Sequence, residues 1–292
     1  MPSVAVVIPC FNGAMYLEDA IRSALSQTFP PDCVIVVDDG STDTSAKIAM
    51  KYTPRVRLLR QANMGVSVAR NNGILSSNTD FVAFLDADDL WHPQKLEFQV
   101  DALSASPRSP FVFNRRVEFR FKREVSFSHK VCDFREANSI FSEILFRNPV
   151  HCSSVLVRRS AFARSGLFDP LLHGGEDTEL WLRLAVHGDV LESDSELSYL
   201  RMHDNNTTLS FFFRKSRLDA LLAIRCKWAD RIADTTEIDK NIAGNAMGLG
   251  YEAYSLGEFS SAERYFSVAS HHGRSRVLCR FKRLQSKAAQ FF

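Results

Sequence analysis

No stretch of about 18 apolar residues occurs in the chain, so no segment is suited to cross a bilayer as a helix. No lysine or arginine precedes Arg22, and the opening apolar run, Val4 to Ile8, is short. The expectation is a chain without a secretory signal, cytoplasmic by default. The six cysteines (Cys10, Cys33, Cys132, Cys152, Cys226 and Cys279) include no C-x-x-C pair. Free thiols in a reducing compartment are expected rather than bridges or a zinc site. Neither G-x-G-x-x-G nor G-x-x-x-x-G-K-[ST] is present, so a phosphate would have to be held by a metal ion rather than a glycine-rich loop. An excess of one charge is also missing. Thirty-six Lys+Arg against 34 Asp+Glu leave +2, too little for a general nucleic-acid binder, and no nucleic-acid partner is expected.

What remains is the composition of a globular protein, with 45% hydrophobic and 24% charged residues in 292. Val4 to Ile8 and Val34 to Val37 read as buried strands, Val56 to Leu59 as a weaker one and Phe81 to Leu85 as another. Between them Leu17, Ile21, Ala24 and Leu25 recur at helical spacing, Gly65 opens a helical stretch to Leu75, and Pro93 starts a further helix. Alternation at this spacing predicts an α/β fold with a parallel sheet. The aromatic and basic alternation from Phe111 to Cys132 predicts hairpins at the sheet edge, residues 136–146 a helix, Ser154 to Val157 a strand and Glu176 to His187 a helix. Beyond Phe211 the pattern is almost wholly helical. The expected division is a catalytic domain over 1–212 and a helical region over 213–292.

Ligands of an open parallel sheet sit outside the carboxyl ends of its strands. Pro9 to Asn12, Asp38 to Asp43 and Asp86 to Asp89 all occupy such ends. Asp86 and Asp88 form a D-x-D. In extended backbone, residues i and i+2 point the same way, so both carboxylates could face one hard cation, Mg²⁺ or Mn²⁺. The plainer reading is a solvated acidic turn. The loop DDGSTD (38–43) could cap the next helix, or a carboxylate in it could accept the N3–H of a uracil. Asp177 stands in the first turn of a helix, where the dipole favours an ionised carboxylate.

Taken together, VAVVIPCFN (4–12), IVVDDGSTD (35–43), NMGVSVARNNGI (63–74), FVAFLDADDLWHPQKL (81–96) and GLFDPLLHGGEDTELWLRL (166–184) resemble the family 2 glycosyltransferases. These are inverting enzymes of the GT-A fold, a mixed, mainly parallel sheet with helices on both faces. The resemblance implies that Asp39 reads the uracil ring, with Pro9 and Phe11 lining the base pocket and Asn12 also among the donor-binding residues. It implies that Asp86 lies near the ribose and Asp88 ligates Mn²⁺ or Mg²⁺, that Arg70 lies near the donor, and that His203 contacts the diphosphate or metal. Asp177 matches the catalytic base, and Glu176 is expected to act behind it. The implied partners are a nucleotide-sugar donor, UDP-linked by expectation, and a glycan or lipid-linked acceptor in cell-surface polysaccharide synthesis. The alternative is an inactive GT-A scaffold acting through its helical tail, a reading that the intact set Asp39, Asp86, Asp88 and Asp177 opposes.

The resemblance ends near residue 215. Leu249, Gly250, Ala262, Phe266 and Ala269 fall at the spacing of one tetratricopeptide-like hairpin, about 243–275, with Gly257 at its turn. No acidic residue follows Glu263, and Arg274 to Phe292 interleaves basic with apolar residues. Such an end suits peripheral contact with an anionic membrane surface through 274–292, or a solvated helix face.

Overall fold

The computed structural model describes residues 1–120, 132–137, 140–203, 211–231 and 235–273. The first strands and helices follow the alternation in the sequence: β1 (Val4–Cys10), α1 (Leu17–Leu25), β2 (Cys33–Asp38), α2 (Ser45–Met50), β3 (Val56–Arg60), α3 (Val66–Leu75) and β4 (Phe81–Phe84). β1 pairs in parallel with β2 and β4, and β2 with β3. Val4 to Ile8 are fully buried, because helices cover both faces of a strand in a parallel sheet. The valines and Ile8 each contribute about 1.5–3 kcal/mol by leaving water. α1 turns Leu17, Ala20, Ile21 and Ala24 inward and Glu18 and Arg22 outward. α3 lies close on β1 because position 73 is glycine: a Cβ there would come within 2.3 Å of Val7 Cγ1.

The chain continues through β5 (Leu90–Trp91), α4 (Lys95–Ala105), β6 (Phe111–Phe119), β7 (Arg135–Glu136), α5 (Ile140–Arg147), β8 (Val155–Arg158), α6 (Phe162–Ser165), α7 (Glu176–Ala185) and β9 (Leu191–Arg201). The sheet runs β3-β2-β1-β4-β8-β6-β9-β5, with β7 paired to β9. β8 is antiparallel to β4 and β6, and β6 and β9 are parallel. The edge hairpins expected over 111–132 do not form over 111–119. Phe111–Phe119 is one strand inside the sheet, between β8 and β9, and its first four residues are buried. Residues 121–131 lie outside the described part. β9 was not anticipated: LESDSELSYLR is too polar to announce an interior strand, yet it pairs with β5, β6 and β7.

By internal contacts the chain divides into one unit of residues 1–171 and 176–204 and a second of 172–175 and 205–292. The second holds α8 (Phe211–Lys227), α9 (Thr236–Ser255) and α10 (Phe259–His271). The chain turns from α9 to α10 at Gly257, φ +78°, and α10 buries Ala262, Phe266 and Ala269. Gly174 and Gly175 belong to this unit and pack on α8, since a Cβ on Gly174 would lie 2.9 Å from the Phe213 carbonyl. Residues 274–292, the basic end considered for membrane contact, lie outside the described part. Among the described residues no helix is long and apolar enough to cross a membrane.

Candidate active site

The carboxyl ends of β1, β2 and β4 lie side by side, so the residues following them share one edge of the sheet. Pro9 is buried in β1, opposite Val37, and Phe11 is 51% exposed just beyond it. Asn12 adopts φ +51°, and its Oδ1 accepts the Thr42 backbone N–H at 2.9 Å. Its own N–H donates to Ser41 Oγ. Asn12 therefore ties the β1 turn to the DDGSTD loop. Asp38 is fully buried, accepting from Ser41 N–H and Arg60 Nε. Asp39 accepts from Gln61 Nε2, Met64 N–H and Gly65 N–H, each at 2.8 Å. A carboxylate offers about four lone-pair positions, so Asp39 props the entry to α3 and, among the described residues, has three of them filled.

After β4 the backbone does not stay extended. Asp89 N–H returns to the Asp86 carbonyl at 3.1 Å, a turn that replaces the i, i+2 geometry expected for the D-x-D. Each of the three carboxylates consequently has its own partner. Asp86 Oδ1 meets Arg70 Nη2 at 2.9 Å, and Asp88 Oδ2 meets His203 Nε2 at 3.0 Å, the imidazole stacking on Tyr16. Asp89, fully buried, accepts from the Ser153 hydroxyl at 2.5 Å and from Arg201 N–H at 3.1 Å. Ser153 Oγ also takes the Asp86 N–H, and Arg201 Nε donates to the Asp88 carbonyl. The turn is thus held from below by residues more than sixty positions away. Burial works to raise the Asp86 carboxyl, and Arg70 and His151 more than offset it, leaving it below the ordinary range. Burial and the Asp86 charge push Asp88 up.

Arg70, 5% exposed, also binds Glu176 Oε1 through Nη1 at 2.8 Å. It therefore joins the turn after β4 to the start of α7. Burial would lower the guanidinium pKa, but Cys152, Asp86 and Glu176 hold it well above its ordinary value. Glu176 is nevertheless raised above its ordinary value, because burial and the neighbouring Asp177 outweigh Arg70. Asp177 Oδ1 accepts from Thr178 N–H at 2.6 Å and from the Thr178 hydroxyl at 3.2 Å. Asn148 Nδ2 approaches Asp177 Oδ2 at 3.4 Å. His151 adjoins the same carboxylates: Asp86 and Asp177 favour its charged form, but burial prevails and lowers its pKa.

The donor set suits a hard divalent cation. Ligand atoms of Asp86, Asp89 and His151 lie within 4.8 Å of one another, which is near enough for one ion. Both Asp89 oxygens are already engaged, however, and its side chain is closed to solvent, whereas that of Asp88 is 32% exposed. Asp86 with Asp88 therefore offers the accessible oxygens, with Asp89 as the anchor of the turn.

Residues 5–165 match the family described as Glycosyl transferase family 2. The chain belongs to that family. An uncharacterised glycosyltransferase of Rickettsia typhi is 30% identical over 223 residues, 75% of this chain and 70% of the relative. TuaG of Bacillus subtilis, a putative teichuronic acid biosynthesis glycosyltransferase, is 28% identical over 199 residues, 64% of this chain and 73% of TuaG. Other relatives are longer: this chain spans 34% of the Rickettsia felis glycosyltransferase. Among solved structures, S. aureus TarS 1–349 in complex with UDP-GlcNAc superposes with TM-score 0.68 at 18% identity, over 97% of this chain and 89% of that one. The mannosyltransferase PcManGT of Pyrobaculum calidifontis, in complex with GDP-Man and Mn²⁺, gives 0.59 at 20%, over 100% and 81%. At those identities the likeness is one of fold, and this family 2 glycosyltransferase has the GT-A architecture.

Sequence reasoning assembled Asp39, Asp86, Asp88 and Asp177 but missed Asn148, His151, Ser153 and the anchoring role of Asp89. Asn148-Pro149 does carry a local signal, since N-P marks a turn at a helix end. Nothing local indicates that Ser153 meets Asp86 and Asp89.

Proposed function

We propose that this family 2 glycosyltransferase moves a sugar, with inversion, from a nucleotide-diphosphate donor to a hydroxyl of a glycan or lipid-linked acceptor in cell-surface polysaccharide synthesis. A UDP-sugar is the donor favoured by Asp39, which, with three of its lone-pair positions filled among the described residues, can accept a base N–H beside Pro9 and Phe11. The observation that carries the reading is Arg70, which bonds at once to Asp86 of the acidic turn and to Glu176 beside Asp177. One guanidinium thereby links the donor-side carboxylate of Asp86 to Glu176, the residue next to the proposed base.

Asp177 takes the proton of the acceptor hydroxyl as that oxygen bonds to the anomeric carbon. The bond from that carbon to the diphosphate oxygen breaks on the opposite face, its electron pair leaving with the nucleotide. Asp86 and Asp88 would hold Mn²⁺ or Mg²⁺, which supplies charge neutralisation for the departing diphosphate. Arg70, fully charged and buried, keeps Asp86 ionised, and His203 orients Asp88.

A positioned general base contributes about 10²–10⁴-fold, or roughly 3–5 kcal/mol of barrier. Asp177→Asn should lose transfer by about that factor and still bind nucleotide. Transfer at the wild-type rate by this variant would remove Asp177 from the role.

A further inference from the structure

The segment joining α5 to β8 meets the start of α7 at one residue, Asn148. Its backbone has φ +35°, the left-handed region that few side chains other than asparagine tolerate. Its N–H closes the end of α5 on the carbonyls of Glu143 and Ile144. That is a helix C-cap, for which glycine would serve as well or better. The side chain does something glycine could not. Its Nδ2 donates to Thr178 Oγ1 at 2.9 Å and faces Asp177 Oδ2 at 3.4 Å, while Thr178 donates to Asp177 Oδ1 from N–H and hydroxyl. Donors thus approach both oxygens of the carboxylate, and its plane is defined. The amide cannot be turned over, because its oxygen would then oppose a carboxylate oxygen. In the orientation that serves Asp177, Asn148 Oδ1 is buried without a partner among the described residues. An orphaned acceptor is costly.

We propose that Asn148 is a positioning residue, orienting the Asp177 carboxylate toward the acceptor hydroxyl through Thr178 and its own amide. The proposal rests on Asp177 being the base. Its role is separable from the helix cap, because glycine preserves the left-handed backbone and deletes only the amide. Other charged and titratable groups face Asp177 as well: Glu176 on its own helix, His151 and Cys152 from the segment before β8, and Arg70 from α3 through Glu176.

The test uses the full chain and a panel of UDP-GlcNAc, UDP-glucose, UDP-galactose and GDP-mannose, with water standing in for the acceptor hydroxyl, following nucleotide release by hydrolysis of the donor that wild type turns over fastest. Asn148→Gly should keep the Tm and the donor KM while kcat falls about tenfold or more, the loss expected for a hydrogen bond to a charged group. Asn148→Asp, which sets a like charge against Asp177, should move the acid limb of the kcat–pH profile upward. Asp177→Asn is the control. If Asn148→Gly keeps wild-type kcat and Asn148→Asp keeps the wild-type profile while Asp177→Asn is inactive, Asn148 is a cap alone and the proposal is overturned. If Asp177→Asn retains full activity, or no donor is turned over, it is the base or the proposed function that fails.

Discussion

Arg70 Nη2 stands 2.9 Å from Asp86 Oδ1, joining the middle of α3 to the acidic turn after β4, and the arginine side chain is only 6% exposed. Its second arm reaches Glu176 Oε1 at 2.8 Å, and its plane lies over the Phe168 ring. Two carboxylates from distant parts of the chain thus share one buried cation. Removing it leaves both uncompensated. Arg70→Met should therefore cost about 3–5 kcal/mol, read as a shift of the urea midpoint. Arg70→Lys should not restore it, since a single ammonium cannot replace a planar fork that addresses two carboxylates. A shift under about 1 kcal/mol for Arg70→Met would show that water reaches the pair and screens it.

Lys95 is wholly buried, with Nζ 2.7 Å from Gln99 Oε1 and 4.2 Å from the centre of a Trp91 ring. Burial drives its pKa well below the ordinary 10.5. Between the depressed folded value and 10.5 the unfolded chain binds more proton, so this residue makes stability rise with pH across that window. The slope is at most about 1.4 kcal/mol per pH unit. Urea unfolding of wild type and Lys95→Met from pH 7 to 9.5 isolates it, because the other lysines cancel in the difference. Wild type should gain on the variant as pH rises. A difference that does not change with pH would mean that Lys95 titrates as it does in the unfolded chain.

At the contact of α3 with β1, a methyl group on residue 73 would enter the Val7 side chain. Gly73→Ala should destabilise by about 1–3 kcal/mol, as overpacking does, despite the better helix propensity of alanine. Thermal unfolding at or above the wild-type Tm would show that α3 can move off the sheet at little cost.

The first half of the fold is legible because β1, β2 and β4 are buried on both faces and each connection is local. Val4–Cys10, Cys33–Asp38 and Phe81–Phe84 announce themselves as apolar runs, and the acidic residues lie where those runs stop. β9 was hidden: a strand in a mixed sheet that is only partly covered need not be apolar, and its neighbours β6 and β5 are far away in sequence. The acidic turn was misjudged for a related reason. Periodicity suggests extended backbone after a strand, but the pull of Ser153 and Arg201 on Asp89 closes a turn instead. Asp177 could be recognised as the acid at a helix start, whereas the residue that aims it, Asn148, is brought to it by the packing of α5 on α7.

The most direct test of the account is UDP binding by calorimetry, with and without Mn²⁺, to wild type and to Asp88→Asn. UDP should bind wild type, bind more tightly with Mn²⁺, and lose that Mn²⁺ dependence in Asp88→Asn. UDP binding by wild type that ignores Mn²⁺, or an Asp88→Asn variant with the full Mn²⁺ effect, would contradict a cation held by Asp86 and Asp88 at the donor diphosphate.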